Sequence, residues 1–189
     1  MLAILTGIPG TGKTTVAKEA MKLLEKENIR YEMITFGTVI FELAQQKKLV
    51  KDRDEMRKLT PLVQREIQRE AAKKIAKMAK GKNILIDTHC TISTPKGYIP
   101  GLPEWVLKEL NPDAIVLVEA DSTEIDKRRK SDPTRKRDDE DVSGIQMHQD
   151  MNRAAAMSYS SLTGAAIKVI KNPQGKIEEA AGKLAEILK

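Results

Sequence analysis

Five short apolar runs punctuate the chain: Leu2–Thr6, Tyr31–Thr35, Asn83–Asp87, Ala114–Glu119 and Ala166–Lys171. Most lack the polar alternation of a strand with one wet face, so they predict buried parallel strands. Longer segments with helical spacing lie between them. The clearest begins at Thr60-Pro61, a cap residue with proline in the first turn, and runs to Gly81. Its apolar positions Val63, Ile67, Ala71, Ile75 and Met78 share one side of a helix. This alternation predicts an α/β protein built on a doubly wound, five-stranded parallel sheet. Two stretches interrupt it. Thr88–Pro103 carries three prolines and two glycines and reads as a long loop, functional or disordered. Lys130–Ser143 joins a basic cluster to the acidic run Asp138-Asp139-Glu140-Asp141. Both follow a strand, or the short helix after one, which puts them at the edge where open α/β sheets bind ligands.

Composition narrows the class. With 189 residues, of which 40% are hydrophobic and 32% charged, the chain suits one domain with a full core and is too apolar for a disordered one. No run approaches the roughly 20 apolar residues of a membrane span, and no secretory leader precedes the first motif. One cysteine excludes an internal disulfide, and two histidines leave little for a zinc site. A soluble cytoplasmic protein without a membrane partner is the expectation. The net charge of +6 is concentrated. Between Lys127 and Arg137 stand seven basic residues against one acidic, and the rest of the chain is balanced. Such a cluster suits a solvated helix end or a nucleic-acid patch. Aromatics at 3% offer few stacking platforms, which weakens the nucleic-acid reading.

One motif states its chemistry directly. Gly7, Ile8, Pro9, Gly10, Thr11, Gly12, Lys13 and Thr14, followed by Thr15, fit the pattern G-x-x-x-x-G-K-[ST]. The glycines let consecutive backbone N–H groups turn inward onto phosphate oxygens. Lys13 adds a mobile charge near the β and γ phosphates, and the Thr14 hydroxyl suits Mg²⁺. An apolar strand precedes the motif, and an amphipathic helix with Val16, Ala20, Leu23 and Leu24 follows it. The helix start directs its positive end at the same anion. The chain therefore binds a nucleoside triphosphate. No guanine-reading N-K-x-D is present, and Asp141-Val142-Ser143-Gly144 matches the switch pattern D-x-x-G only by spacing. What remains is a compact phosphotransferase.

Beyond the P-loop, the sequence resembles the archaeal-type adenylate kinases, a branch of the P-loop nucleoside monophosphate kinases. The residues that carry the resemblance are Thr6–Thr15, Ile34–Gly37, Lys51–Leu59 (KDRDEMRKL), Ile86–Pro103 (IDTHCTISTPKGYIPGLP) and Glu119-Ala120-Asp121 with the arginine-rich segment after it. The resemblance implies one kinase domain over residues 1–189, with a helical monophosphate-binding insertion over about 36–80 and a short arginine-rich lid over about 130–143. It implies the reaction ATP + AMP ⇌ 2 ADP with Mg²⁺, and a homotrimer. The residue types suit that reaction, because the acceptor phosphate oxygen is already largely ionised and needs no general base. Positioning and cations do the work. Two alternatives stay open: a kinase preferring UMP or CMP, and a nucleotide-controlled nucleic-acid-binding protein.

The same resemblance assigns roles. Lys13, Arg57, Arg128, Arg135 and Arg137 surround the phosphates, with Lys136 an equal candidate in the lid. Arg57 clamps the AMP phosphate, unless it merely pairs with Asp54. Thr35, Phe36 and Gly37 border the AMP base and ribose, unless Phe36 is core. Arg128 flanks the ATP base near the Asn172–Gly175 turn, and Asp87 holds Mg²⁺ through water. Ser93 replaces a basic residue that many family members carry, leaving Arg57, with Lys96 or His89, to neutralise the acceptor. His89-Cys90 fits a buried loop pair better than half a metal site. Arg153 fits a phosphate contact or a solvated helix position equally well. Trp105 suits helix docking.

Overall fold

The structure, a computed structural model, describes residues 1–131 and 140–189. Its elements run β1 (Leu2–Thr6), α1 (Lys13–Lys26), β2 (Tyr31–Thr35), α2 (Phe36–Gln46), a 3₁₀ turn (Asp54–Lys58) and α3 (Pro61–Met78). Then come β3 (Asn83–Asp87), β4 (Thr91–Thr94), β5 (Gly97–Pro100), α4 (Glu104–Leu110), β6 (Ala114–Glu119), α5 (Ser122–Lys130), α6 (Val142–Thr163), β7 (Ala166–Lys171) and α7 (Ile177–Ile187). The five apolar runs are the five strands of one sheet, ordered β2-β3-β1-β6-β7 and parallel throughout.

Side-chain alternation along the central strands feeds two cores. Ile4, Ile84, Ile86, Ile115 and Leu117 pack beneath α2, α3, α4 and α6. Ala3, Leu5, Leu85, Val116 and Val118 pack beneath α1 and α7. Every residue of β1 and β6 is buried, which is why these runs carry no polar alternation. The edge strand β7 departs from the buried expectation. Only Ile170 is fully buried in it, and Val169 remains 46% exposed. The α3 helix follows its sequence signals: the Thr60 hydroxyl accepts from the Val63 N–H and Pro61 occupies the first turn. Ile67, Ala71 and Ile75 form its buried stripe.

Thr88–Pro103 is not an irregular loop. Antiparallel pairing of β4 with β5, in the register Ile92↔Ile99 and Ser93↔Tyr98, folds its centre into a hairpin. Polar contacts with α6 hold the hairpin base. The buried Asn152 side chain accepts from the Thr91 N–H at 3.0 Å and its hydroxyl at 2.6 Å, and the Tyr159 hydroxyl donates to the Cys90 carbonyl at 2.7 Å. The apparent D-x-x-G is a helix start, with the Asp141 carboxylate accepting from the Gly144 N–H at 2.7 Å as the cap of α6. Trp105 docks α4 on α3, donating to Gln68 at 3.1 Å under the Arg65 guanidinium.

Candidate active site

The carboxyl edge of the sheet gathers the predicted groups. The loop after β1 wraps into the cradle and passes directly into α1 at Lys13. Its glycines are required by position. Gly12 has φ +82°, and a Cβ there would lie 2.5 Å from Nδ2 of Asn172, which itself donates to the Thr11 carbonyl at 2.8 Å. A Cβ on Gly7 would collide with the Val118 carbonyl, so the cradle rests against β6. Thr14 and Thr15 stand exposed in the first turn of α1, where its N–H groups face outward. Lys13 pairs with Asp87, the last residue of β3, each side chain only about one-seventh exposed (14% and 13%). The neighbouring strands β1 and β3 thus deliver the P-loop cation and the carboxylate to one point.

The helix α5 lies across the cradle and supplies two arginines. Arg128 donates to the Gly10 carbonyl (3.4 Å), the Asn172 carbonyl (3.1 Å), Gln174 (3.0 Å) and Glu124 (3.2 Å). The cradle, Arg128 and the Asn172–Gly175 turn are therefore brought together. Arg129 was not singled out by sequence, yet it donates to the Pro9 carbonyl at 2.9 Å and to Glu140 at 2.9 Å. A Cβ on Gly10 would meet Ile125 at 3.0 Å and Arg129 at 3.2 Å. The four-residue spacing from the buried Ile125 to Arg129 was the available signal that this face is turned inward. Arg135, Lys136 and Arg137 lie outside the described residues.

A cavity of about 1010 Å³ opens between α2, the 3₁₀ turn, α3 and the hairpin. Gly37, Arg57 and Ser93 line it, together with Arg53, which sequence reasoning passed over. Arg53 donates to the Thr38 hydroxyl at 2.9 Å and stacks on Phe41, its carbon 5.3 Å from the ring centre. Arg57 is exposed and, among the described residues, makes no ion pair; Asp54 does not engage it. Phe36 is a correction: it is 2% exposed and belongs to the core under the sheet. Thr35 ends β2 exposed but, like Phe36, is not part of the cavity wall.

His89 also departs from its expected place. It is exposed rather than buried beside Cys90 and does not line the cavity; it sits toward Lys13, Asp87 and His148. Desolvation of the ring by its surroundings, followed by the Lys13 charge, lowers its pKa from the ordinary histidine value. Cys90 is buried, donates to the Asn152 carbonyl, and has its thiol pushed up to about 12 by burial. Arg153 grips the buried Glu119 with two bonds of 2.7 and 2.6 Å, and Lys171 adds a third at 2.7 Å. Desolvation alone would raise the Glu119 pKa, but the two cations outweigh it and hold the carboxyl below its ordinary value.

A family model described as an AAA domain matches residues 6–146. Curated adenylate kinases from archaea match essentially end to end. That of Methanocaldococcus jannaschii is 54% identical over 188 residues, covering 100% of this chain and 98% of the relative. That of Methanococcus aeolicus is 53% identical, covering 100% and 97%. The chain belongs to the adenylate kinase family. It is thus a phosphotransferase of the P-loop kinase fold. A crystal structure of shikimate kinase from Bacteroides thetaiotaomicron shares that fold, with a TM-score of 0.59 at 14% identity over 100% of this chain and 98% of that one. Among the described residues, no helix is long and apolar enough to cross a membrane.

Proposed function

We propose that this adenylate kinase transfers the γ-phosphoryl group of ATP to AMP, reversibly, giving two ADP. An oxygen of the AMP phosphate attacks the γ-phosphorus, and the bond from that phosphorus to the β–γ bridging oxygen breaks. The observation that carries the reading is the arrangement along one sheet edge: cradle after β1, cavity with Arg57 beside β2 and β3, and Lys13–Asp87 between them. Two polyanions held in these places meet at Lys13. The protein's task is to orient them, neutralise their charge and exclude water. Lys13 and Arg128 serve the triphosphate, Arg57 the acceptor phosphate, and Arg135 and Arg137 are assigned to the lid. In this reading residues 36–80 form the monophosphate-binding insertion and 130–143 the lid of a single domain.

The donor set fits Mg²⁺. Thr14 offers a hydroxyl and Asp87 a carboxylate, both hard oxygen ligands, and no cluster of three or more His, Cys, Asp or Glu exists among the described residues. Magnesium bound with substrate phosphates needs only one or two protein groups and keeps several waters. Its contribution when bound is to neutralise charge on the β and γ oxygens. Arg128 and Arg129 are turned onto the Gly10 and Pro9 carbonyls, which supports a nucleotide partner over a nucleic acid. A cytoplasmic homotrimer is part of the proposal by family resemblance; exposed Met157, Leu162 and Val169 supply apolar surface for contacts between copies. The test is a coupled phosphotransfer assay of ATP with AMP, GMP, CMP and UMP. ADP formation fastest with AMP is expected, and a folded protein yielding no ADP from any acceptor overturns the reading.

A further inference from the structure

One peptide plane of the cradle is held from outside by a chain of side chains that ends on a carboxylate. The Arg129 Nε donates to the Pro9 carbonyl at 2.9 Å. Its stem covers Gly10, where a Cβ would meet the Arg129 Cγ at 3.2 Å. The Pro9–Gly10 peptide is trans, so its carbonyl and the Gly10 N–H point in opposite directions. With the carbonyl turned to Arg129, the N–H is turned away from it. One guanidinium thus sets the sense of a peptide unit in the phosphate-binding loop. The same guanidinium donates through Nη1 to the Glu140 Oε2 at 2.9 Å, and the two side chains are only 10% and 21% exposed. Glu140 is seated in turn. Glycine is a poor residue inside a helix, yet Gly144 stands in the first turn of α6. A Cβ there would lie 2.8 Å from the Glu140 Cγ, so the missing side chain leaves the room that the Glu140 stem occupies. One turn further along α6, the His148 Nδ1 stands 3.7 Å from the other carboxylate oxygen. That ring is fixed by Tyr98, 5.0 Å between centroids, and by its Nε2 at 3.4 Å from the Thr91 carbonyl.

We propose that Glu140 is a positioning residue of the nucleotide cradle: it keeps Arg129 on the Pro9 carbonyl and so keeps the Pro9–Gly10 peptide in the sense that receives a triphosphate. The inference rests on the adenylate kinase reading and deepens it. Glu140 acts only through Arg129. The ion pair neutralises that arginine, which therefore serves through the loop backbone rather than as a free cation for phosphate. A loop fixed before the ligand arrives binds more tightly than one that must be ordered on binding. The two possible roles of Arg129 predict opposite effects of removing the carboxylate. Where Glu140 positions the loop, its loss lets Arg129 leave Pro9, and triphosphate binding weakens. Where Glu140 only restrains a phosphate-binding arginine, its loss frees a cation, and triphosphate binding tightens.

The experiment titrates the full chain with the β,γ-imido analogue of ATP and Mg²⁺ by calorimetry, well below the melting temperature of every variant, and measures KM for ATP and for AMP. Glu140→Ala should raise the Kd for the analogue about tenfold, the scale of a charge-assisted hydrogen bond, and raise the KM for ATP in parallel. The KM for AMP should stay within about twofold, because Asn152 and Tyr159 hold the hairpin beside the acceptor cavity independently. A general loss of structure would raise both. Arg129→Met should match Glu140→Ala, and the double variant should be no more than about twofold worse than either single, since the two residues act as a unit. Glu140→Gln keeps an acceptor for Arg129 and should recover most of the lost affinity. An unchanged or tighter Kd in folded Glu140→Ala overturns the positioning role, as does Glu140→Gln performing no better than Glu140→Ala. Both results leave the kinase reading intact. A wild-type protein that binds no analogue and forms no ADP overturns that reading instead.

Discussion

Replacing Arg153 with methionine separates a structural from a catalytic arginine. The Glu119 side chain is 3% exposed and its two oxygens hold three cationic hydrogen bonds. Without Arg153, Oε1 has no partner and Oε2 keeps only Lys171. Breaking one half of a fully buried ion pair costs about 3–5 kcal/mol. Here Arg153 is 45% and Lys171 55% exposed, so solvent screens the attraction and water can reach the vacated oxygen. An exposed pair would contribute about 0–1 kcal/mol. The mixed geometry argues for a loss of about 2 kcal/mol, since an orphaned buried polar group alone costs about 1–3 kcal/mol. For a chain of this size that is a fall of about 4–8 °C in Tm. Turnover by the folded fraction should stay within about twofold of wild type, because Arg153 is committed to Glu119 rather than to substrate. The double variant Arg153→Met with Glu119→Gln should lose less than the sum of the two singles. The pH dependence has a definite sign. Glu119 has a lowered folded-state pKa, so the pair's stabilisation is present above 4.5 and lost as pH falls through the folded value. The stability difference between wild type and variant should therefore narrow in acid. Denaturant unfolding across pH and initial rates of ADP formation are the measurements. Unchanged stability together with a fall in kcat of about 100-fold would falsify the structural assignment.

Other substitutions probe the cradle, the clamp and the hairpin. Gly12→Ala forces a side chain into positive φ and against Asn172, so stability should drop by about 2 kcal/mol and ATP binding should weaken; calorimetric titration with ATP and thermal melts check both. Arg57→Ala should lower kcat/KM for AMP about 100-fold, the worth of a charge-assisted clamp, while leaving the KM for ATP within twofold. Equal losses for both substrates would refute the assignment. The Cys90 thiol, buried and pushed up to about 12, should resist a colourimetric thiol reagent at pH 8 in the native protein and react once denaturant is added. Rapid labelling without unfolding would show that the hairpin base opens readily.

Periodicity was enough to locate the sheet, because the strands and core helices are specified by side-chain alternation and stripe spacing, which are local properties of sequence. The cradle was legible for a related reason: strand, turn and helix follow one another within 15 residues, and Gly10 and Gly12 take left-handed backbone that the motif itself signals. The hairpin escaped because its stability is not local. Two four-residue strands are marginal alone, and what orders them is Asn152 and Tyr159 of α6, which bond to Thr91 and Cys90 from more than 60 residues away. Phe36 illustrates the opposite difficulty. It lies in a stretch that borders the site, yet the first turn of α2 points it into the core and leaves Gly37 at the cavity. Charge was readable in amount but not in direction. The sum of +6 gives no sign that Arg128 and Arg129, adjacent in sequence, bond to successive carbonyls of the cradle through Gly10 and Pro9. Once α5 is anchored by Ile125, both guanidinium groups are held against the cradle backbone, and Arg129 reaches on to Glu140 at the start of α6. The part of the basic segment that carries Arg128 and Arg129 is thereby turned onto the cradle. Exposed charges are screened within about 10 Å at ordinary ionic strength, so these two inward-turned arginines, 22% and 10% exposed, act on the cradle rather than on distant partners.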